Sequence, residues 1–202
     1  MGIPAHRKYP QWAPPGTALA GPLPEAAPDR VRAVESRLLE LARVSLAILD
    51  IDAVRDCIRP ESRIEVSSDD FAYDTPLANA VKRGLLRIER LCDLEPESAV
   101  WRLRPDKPGM ADLVLAGRSY TSQFSGWGGF PIAIPDAMQS AFDGEPASAL
   151  SGDERLLSVF APLRDSLDDV VAVLELCFRL RVSSAREAGL GDLQHGGGQL
   201  SD

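Results

Sequence analysis

The sequence predicts an α+β domain in which helices lead and an antiparallel sheet follows. Three observations predict it. Residues 147–180 read as three extended pieces joined by two tight polar turns, and the last piece, 170–180, is the most hydrophobic run in the chain. Residues 29–59 and 75–94 space their apolar side chains three and four apart, the period of a helix. Between them and the last three pieces lies a strand, a PDKPG turn over 105–109 and a second strand. A strand as apolar on both faces as 170–180 must be covered on both sides, so the rest of the chain is expected to supply that cover.

The elements follow in order. Residues 1–28 hold seven prolines among Gly and Ala, which can form neither a helix nor a ladder, so a disordered or polyproline-like arm is expected there. Asp29 is the expected N-cap of a long helix over 29–59, stopped by Pro60. Its seam is Val31, Val34, Leu38, Leu41 and Ile48, with Ser45 in the remaining seam place. That seam fits packing on the domain's own sheet, and it equally fits a dimer helix. Ile64 to Val66 form a short strand or part of a loop, and Asp69-Asp70 read as a solvated turn. Thr75-Pro76 open a second helix running to about Leu94, with Gly84 weakening it by about 1 kcal/mol relative to Ala. Strands are expected over 99–104 and 111–116, and a weaker extended piece carries Tyr120, Thr121 and Phe124. The loop SGWGGF, 125–130, centres on Trp127 and fits no phosphate-binding pattern. A short helix spans 136–142, and the three extended pieces then complete a single domain over 29–181. Residues 182–202 are polar and glycine-rich, and a disordered tail is expected.

Composition narrows the function. The 202-residue chain has a formal net charge of −8 and no basic block, which argues against nucleic acid or an anionic membrane as partner. Cys57, Cys92 and Cys177 are far apart and form no CxxC, so they read as buried thiols in a reducing compartment, with neither a redox pair nor a zinc site. Both histidines, His6 and His195, lie in the expected tails. No nucleophile with its base, metal cluster or phosphate cradle emerges, so the chain is read as non-enzymatic, with no metal and no cofactor. No apolar run reaches membrane-spanning length, and the expected location is the cytoplasm.

The C-terminal half resembles a known family. The segments PDAMQSAFDGEPA (135–147), LLSVFAPLRD (156–165) and VVAVLEL (170–176) are similar to the PAS-like sensor domains of the Cache group, found in bacterial histidine kinases, cyclases and chemoreceptors. Ala161, Pro162, Leu163, Arg164 and Asp165 match one motif of that family, and Val170, Val171, Val173, Leu174 and Glu175 match the next. The resemblance covers about residues 29–178. It implies a five-stranded antiparallel sheet with helices on one side, the long N-terminal helix alongside, frequent dimerisation and a small-molecule ligand. The chain departs from the family in three ways: it has no flanking membrane helices, the 165–169 turn has no Gly, and Leu176-Cys177 stand where an acidic residue is usual. Were it a piece of a membrane receptor, the location would be extracytoplasmic.

Six residues are candidates for the ligand site. Glu175 interrupts an apolar strand and, by alternation, shares a face with Val171, Val173 and Cys177. It lies either at a pocket edge, with Arg102 as its partner, or in solvent near the sheet's end. Trp101, Tyr120 and Trp127 are either pocket walls and lid or core packing. Arg164 either grips a ligand carboxylate or neutralises its own turn at Asp165 or Asp168. The expected function is a small-molecule-sensing regulatory domain that signals through its helix, a homodimer or a partner signalling protein. The alternative is a non-catalytic interaction or dimerisation module without a ligand.

Overall fold

Two adjacent strands, each lined with apolar residues on both sides, set the middle of the sheet. The computed structural model describes residues 21–24, 27–57, 76–117, 132–151 and 156–180. Among them the strands are β1 (Gly21–Pro22), β2 (Glu97–Leu103), β3 (Met110–Ala116), β4 (Ile132–Ala133), β5 (Ala147–Leu150), β6 (Leu156–Arg164) and β7 (Val170–Arg179). The helices are α1 (Asp29–Ser45), α2 (Ile51–Cys57), α3 (Pro76–Ile88) and α4 (Asp136–Phe142). All strands join one sheet in the order β1-β5-β6-β7-β2-β3-β4, and every neighbouring pair is antiparallel. The α+β class therefore holds, but among the described residues the sheet has seven strands where five were expected. The two additions, β1 and β4, are two-residue edge strands, too short for a periodicity to reveal.

Both sheet faces are covered, as the apolar β7 requires. On one face α1, α2 and α3 bury Leu38, Leu41, Val54, Leu85 and Ile88 against Val100, Leu157, Val159, Leu163, Leu174 and Leu176. On the other, α4 buries Ala137, Met138 and Ala141 with Trp101, Leu113, Phe160 and Val173. The implied placing of helices on one side only is thus corrected by α4. Its short helix occupies the residues expected of it, and it ends in a Schellman turn: Glu145 N–H donates to Ser140 O, Gly144 N–H donates to Ala141 O, and Gly144 has φ of 102°.

The helix expected over 29–59 is two helices. The Ser45 hydroxyl donates to Leu41 O at 2.7 Å, the backbone turns over 46–49, and Asp50 starts α2 by accepting from Ala53 N–H at 3.0 Å. This break lets α2 fold back on α3. Leu49 rests there on Gly84, where an added Cβ would come within 2.9 Å of Leu49 Cδ2. Gly84 is therefore a seat for the turn as well as a weak helix former. The seam residues Val31, Leu38, Leu41 and Ser45 are buried within this chain, on the helix side of its own sheet.

Two boundaries also move. The second helix ends at Ile88, followed by turns through 89–94. The arm expected to be unstructured through 28 is paired at its end, since Gly21–Pro22 run beside Leu150 and Ala149. Pro22 is tolerated there because β1 is an edge strand. The expected strand at Ile64, the Asp69-Asp70 turn and the Thr75 cap lie outside the described residues.

Candidate functional site

β7 is flanked by β6 and β2, so a side chain on β7 can reach partners on both neighbours. Glu175 does so. It opposes Phe160 on β6 and Ala99 on β2, and it points to the α4 face. Only 1 % of it is exposed. Trp101 Nε1–H donates to its Oε2 at 2.8 Å, and the Ser158 hydroxyl donates to its Oε1 at 2.8 Å. A carboxylate removed from water requires such donors. The neighbouring strands thus place one carboxylate, one indole and one hydroxyl at the centre of an otherwise apolar face.

Cys177 lies two residues further along the same face and opposes Ser158. Burial, reinforced by the nearby Glu175 charge, pushes its thiol far above the usual range, against a smaller opposing effect of the Ser158 hydrogen bond. It is therefore an unreactive thiol at neutral pH.

Among the six candidate residues, Trp101 and Glu175 meet, while Tyr120 and Trp127 lie outside the described residues. The expected Arg102–Glu175 partnership is not formed. Arg102 follows Trp101 and so takes the opposite sheet face, where its Nε is 3.5 Å from Asp112 Oδ2. The face assignment of Val171 also changes. A bulge aligns Leu163 with Ala172 and Arg164 with Val170, leaving Val171 as the extra residue, and it packs with the helix-side core. Arg164 donates through Nη1 to Asp168 O at 2.8 Å and through Nη2 to Gly144 O at 3.0 Å. It holds a turn and the end of α4, away from Glu175.

A second buried carboxylate, Glu89, lies on the helix face just beyond α3. It accepts from Ser98 N–H at 3.0 Å and from the Ser98 hydroxyl at 2.8 Å. Gly117 is required beside it, because a Cβ there would lie 2.1 Å from Glu89 Oε1 and 2.6 Å from Ser98 Oγ. Sequence reasoning did not single out Glu89, Ser98 or Ser158. A signal existed for two of them: Glu89 sits four residues after Leu85 on the apolar stripe of α3, and Ser158 is the only hydroxyl in LLSVFAPL.

Among the described residues, no group of three or more His, Cys, Asp or Glu is placed to hold a metal ion, and no helix is long and apolar enough to cross a membrane. No protein-family profile matches the chain, and no curated protein matches it.

Proposed function

We propose that this domain is a small-molecule-sensing regulatory module of the PAS/Cache-like kind. It binds a ligand over the α4 face of its sheet and signals through its helices or a dimer partner. The observation that carries this reading is the Glu175 cluster: a polar group with donors from β2 and β6, buried in the middle of an apolar sheet face. Because α4 covers this face, a ligand bearing a hydrogen-bond donor enters by displacing α4, exchanges with the Ser158 hydroxyl or the indole, and takes its contact area from the apolar surface released. The leading helices on the opposite face, and the α+β class, support the same reading.

The indole N–H resonance of Trp101 tests it. In the full chain, assigned through Trp101→Phe, that resonance should shift saturably as a small amine, amino acid, carboxylate or nucleoside is titrated. Glu175→Gln should weaken the response at least tenfold. Saturable binding that leaves the Trp101 resonance in place would overturn this location for the site.

A second reading, the ligand-free interaction module, is favoured by one observation. Val44 and Leu46 at the end of α1, and Leu91 after α3, are each about half exposed. Charge introduced at Leu46 should then dissociate an oligomer measured by light scattering.

A further inference from the structure

Arg164 and Asp165 are consecutive, yet they engage the two opposite layers of the molecule. By strand alternation Arg164 takes the α4 face, where its Nη2 donates to Gly144 O at the end of α4, at 3.0 Å. Gly144 suits this contact twice: its φ is 102°, and a Cβ would lie 2.4 Å from that same Nη2. Asp165 takes the other side. Its Oδ2 lies 3.5 Å from Nη1 of Arg55 on α2, and its side chain is only 7 % exposed. The turn between them is tightly built. Asp165 Oδ1 accepts from Leu167 N–H and Asp169 N–H, Asp165 N–H donates to Asp169 O, and Arg164 Nη1 donates to Asp168 O. Asp168 holds φ of 69° to close it.

We propose that the β6–β7 turn is a two-sided clasp that couples the end of α4 to α2 around the end of the sheet's central hairpin. A displacement of α4 pulls Gly144 O and with it Arg164. Because the turn is cross-braced, it moves as a unit and carries the Asp165 carboxylate relative to Arg55. Its use as a signal path rests on the sensing reading; the coupling itself does not. Coupling is reciprocal, so a change at α2 must reach α4 equally.

Amide hydrogen exchange on the ligand-free full chain tests the clasp. Arg55→Ala removes an exposed arm of α2 and leaves the core untouched. It should raise exchange at Gly144 and Glu145 by about two- to fivefold, the range set by a partly exposed ion pair. Arg164→Ala should raise exchange in α2 by a similar factor. Asp165→Asn, which keeps the Oδ1 acceptor but removes the charge facing Arg55, should abolish that cross-sheet effect. If Arg55→Ala leaves Gly144 and Glu145 unchanged, or if Arg164→Ala still affects α2 fully in the Asp165→Asn background, the clasp is refuted. Since no ligand enters this experiment, a failed ligand search leaves the clasp standing, and a refuted clasp leaves the ligand site standing.

Discussion

Glu175 is held by two side chains from two different strands, so its position depends on both strand pairs being in register. Ser158→Ala removes the hydroxyl donor and should cost about 1–3 kcal/mol in urea unfolding, the penalty for stripping a donor from a buried acceptor. A change below a few tenths would mean that the carboxylate takes its donors elsewhere. Gly117→Ala should be costlier than an ordinary surface change. The Glu89 carboxylate that blocks the new Cβ cannot swing aside without losing two bonds to Ser98, so about 1–3 kcal/mol is expected. Cys177 gives a pH signature. Its folded-state pKa is raised above the unfolded value, so its contribution to stability is complete below about pH 8.5 and is lost as pH rises beyond it. Unfolding free energies between pH 8 and 10 should therefore fall less steeply in Cys177→Ala. Glu175 stood out in the sequence as one charge in an apolar run. Its partners did not, because they lie across strands whose alignment depends on bulges. One bulge falls between Val100 and Trp101, aligning them with Leu115 and Leu113, and the other sits at Val171.

At the scale of elements, the break between α1 and α2 decides how the helical layer closes. The apolar spacing runs on from Val31 to Ile48, so periodicity alone describes one helix. What ends it is local chemistry: a serine bonding back to the preceding turn and an aspartate capping the next helix. Asp50→Ala should cost about 1 kcal/mol through loss of that cap. Gly84→Ala separates two opposed effects. Helix propensity alone predicts a gain of about 1 kcal/mol, whereas the Leu49 contact predicts a loss of similar size. Loss is expected, because Leu49 is buried and its own backbone lies behind it. A stabilised variant would show that the 46–49 turn yields freely. The strand hairpins β2–β3 and β6–β7 and the helix α4 were readable because each pairs a clear period with turn residues at both ends. The edge strands β1 and β4 have neither and are created only by their neighbours.

Over the whole molecule, the sheet separates two layers with different contents. One face carries three helices and most of the aliphatic core, and the other carries α4 and the Glu175 cluster. The resemblance to sensor domains anticipated an antiparallel sheet with leading helices. It did not anticipate α4 as the cover of the second face, because a seven-residue helix between loops declares no direction in sequence. The central claim is that a ligand occupies this second face. A thermal-shift screen of the full chain against amines, amino acids, carboxylates, nucleosides and purines tests it most directly, with Glu175→Gln run in parallel. A compound at about one hundred times its dissociation constant should raise the melting temperature by about 5–10 °C, and Glu175→Gln should remove most of that rise. A screen with no saturable shift, or a shift that survives Glu175→Gln in full, would contradict the account.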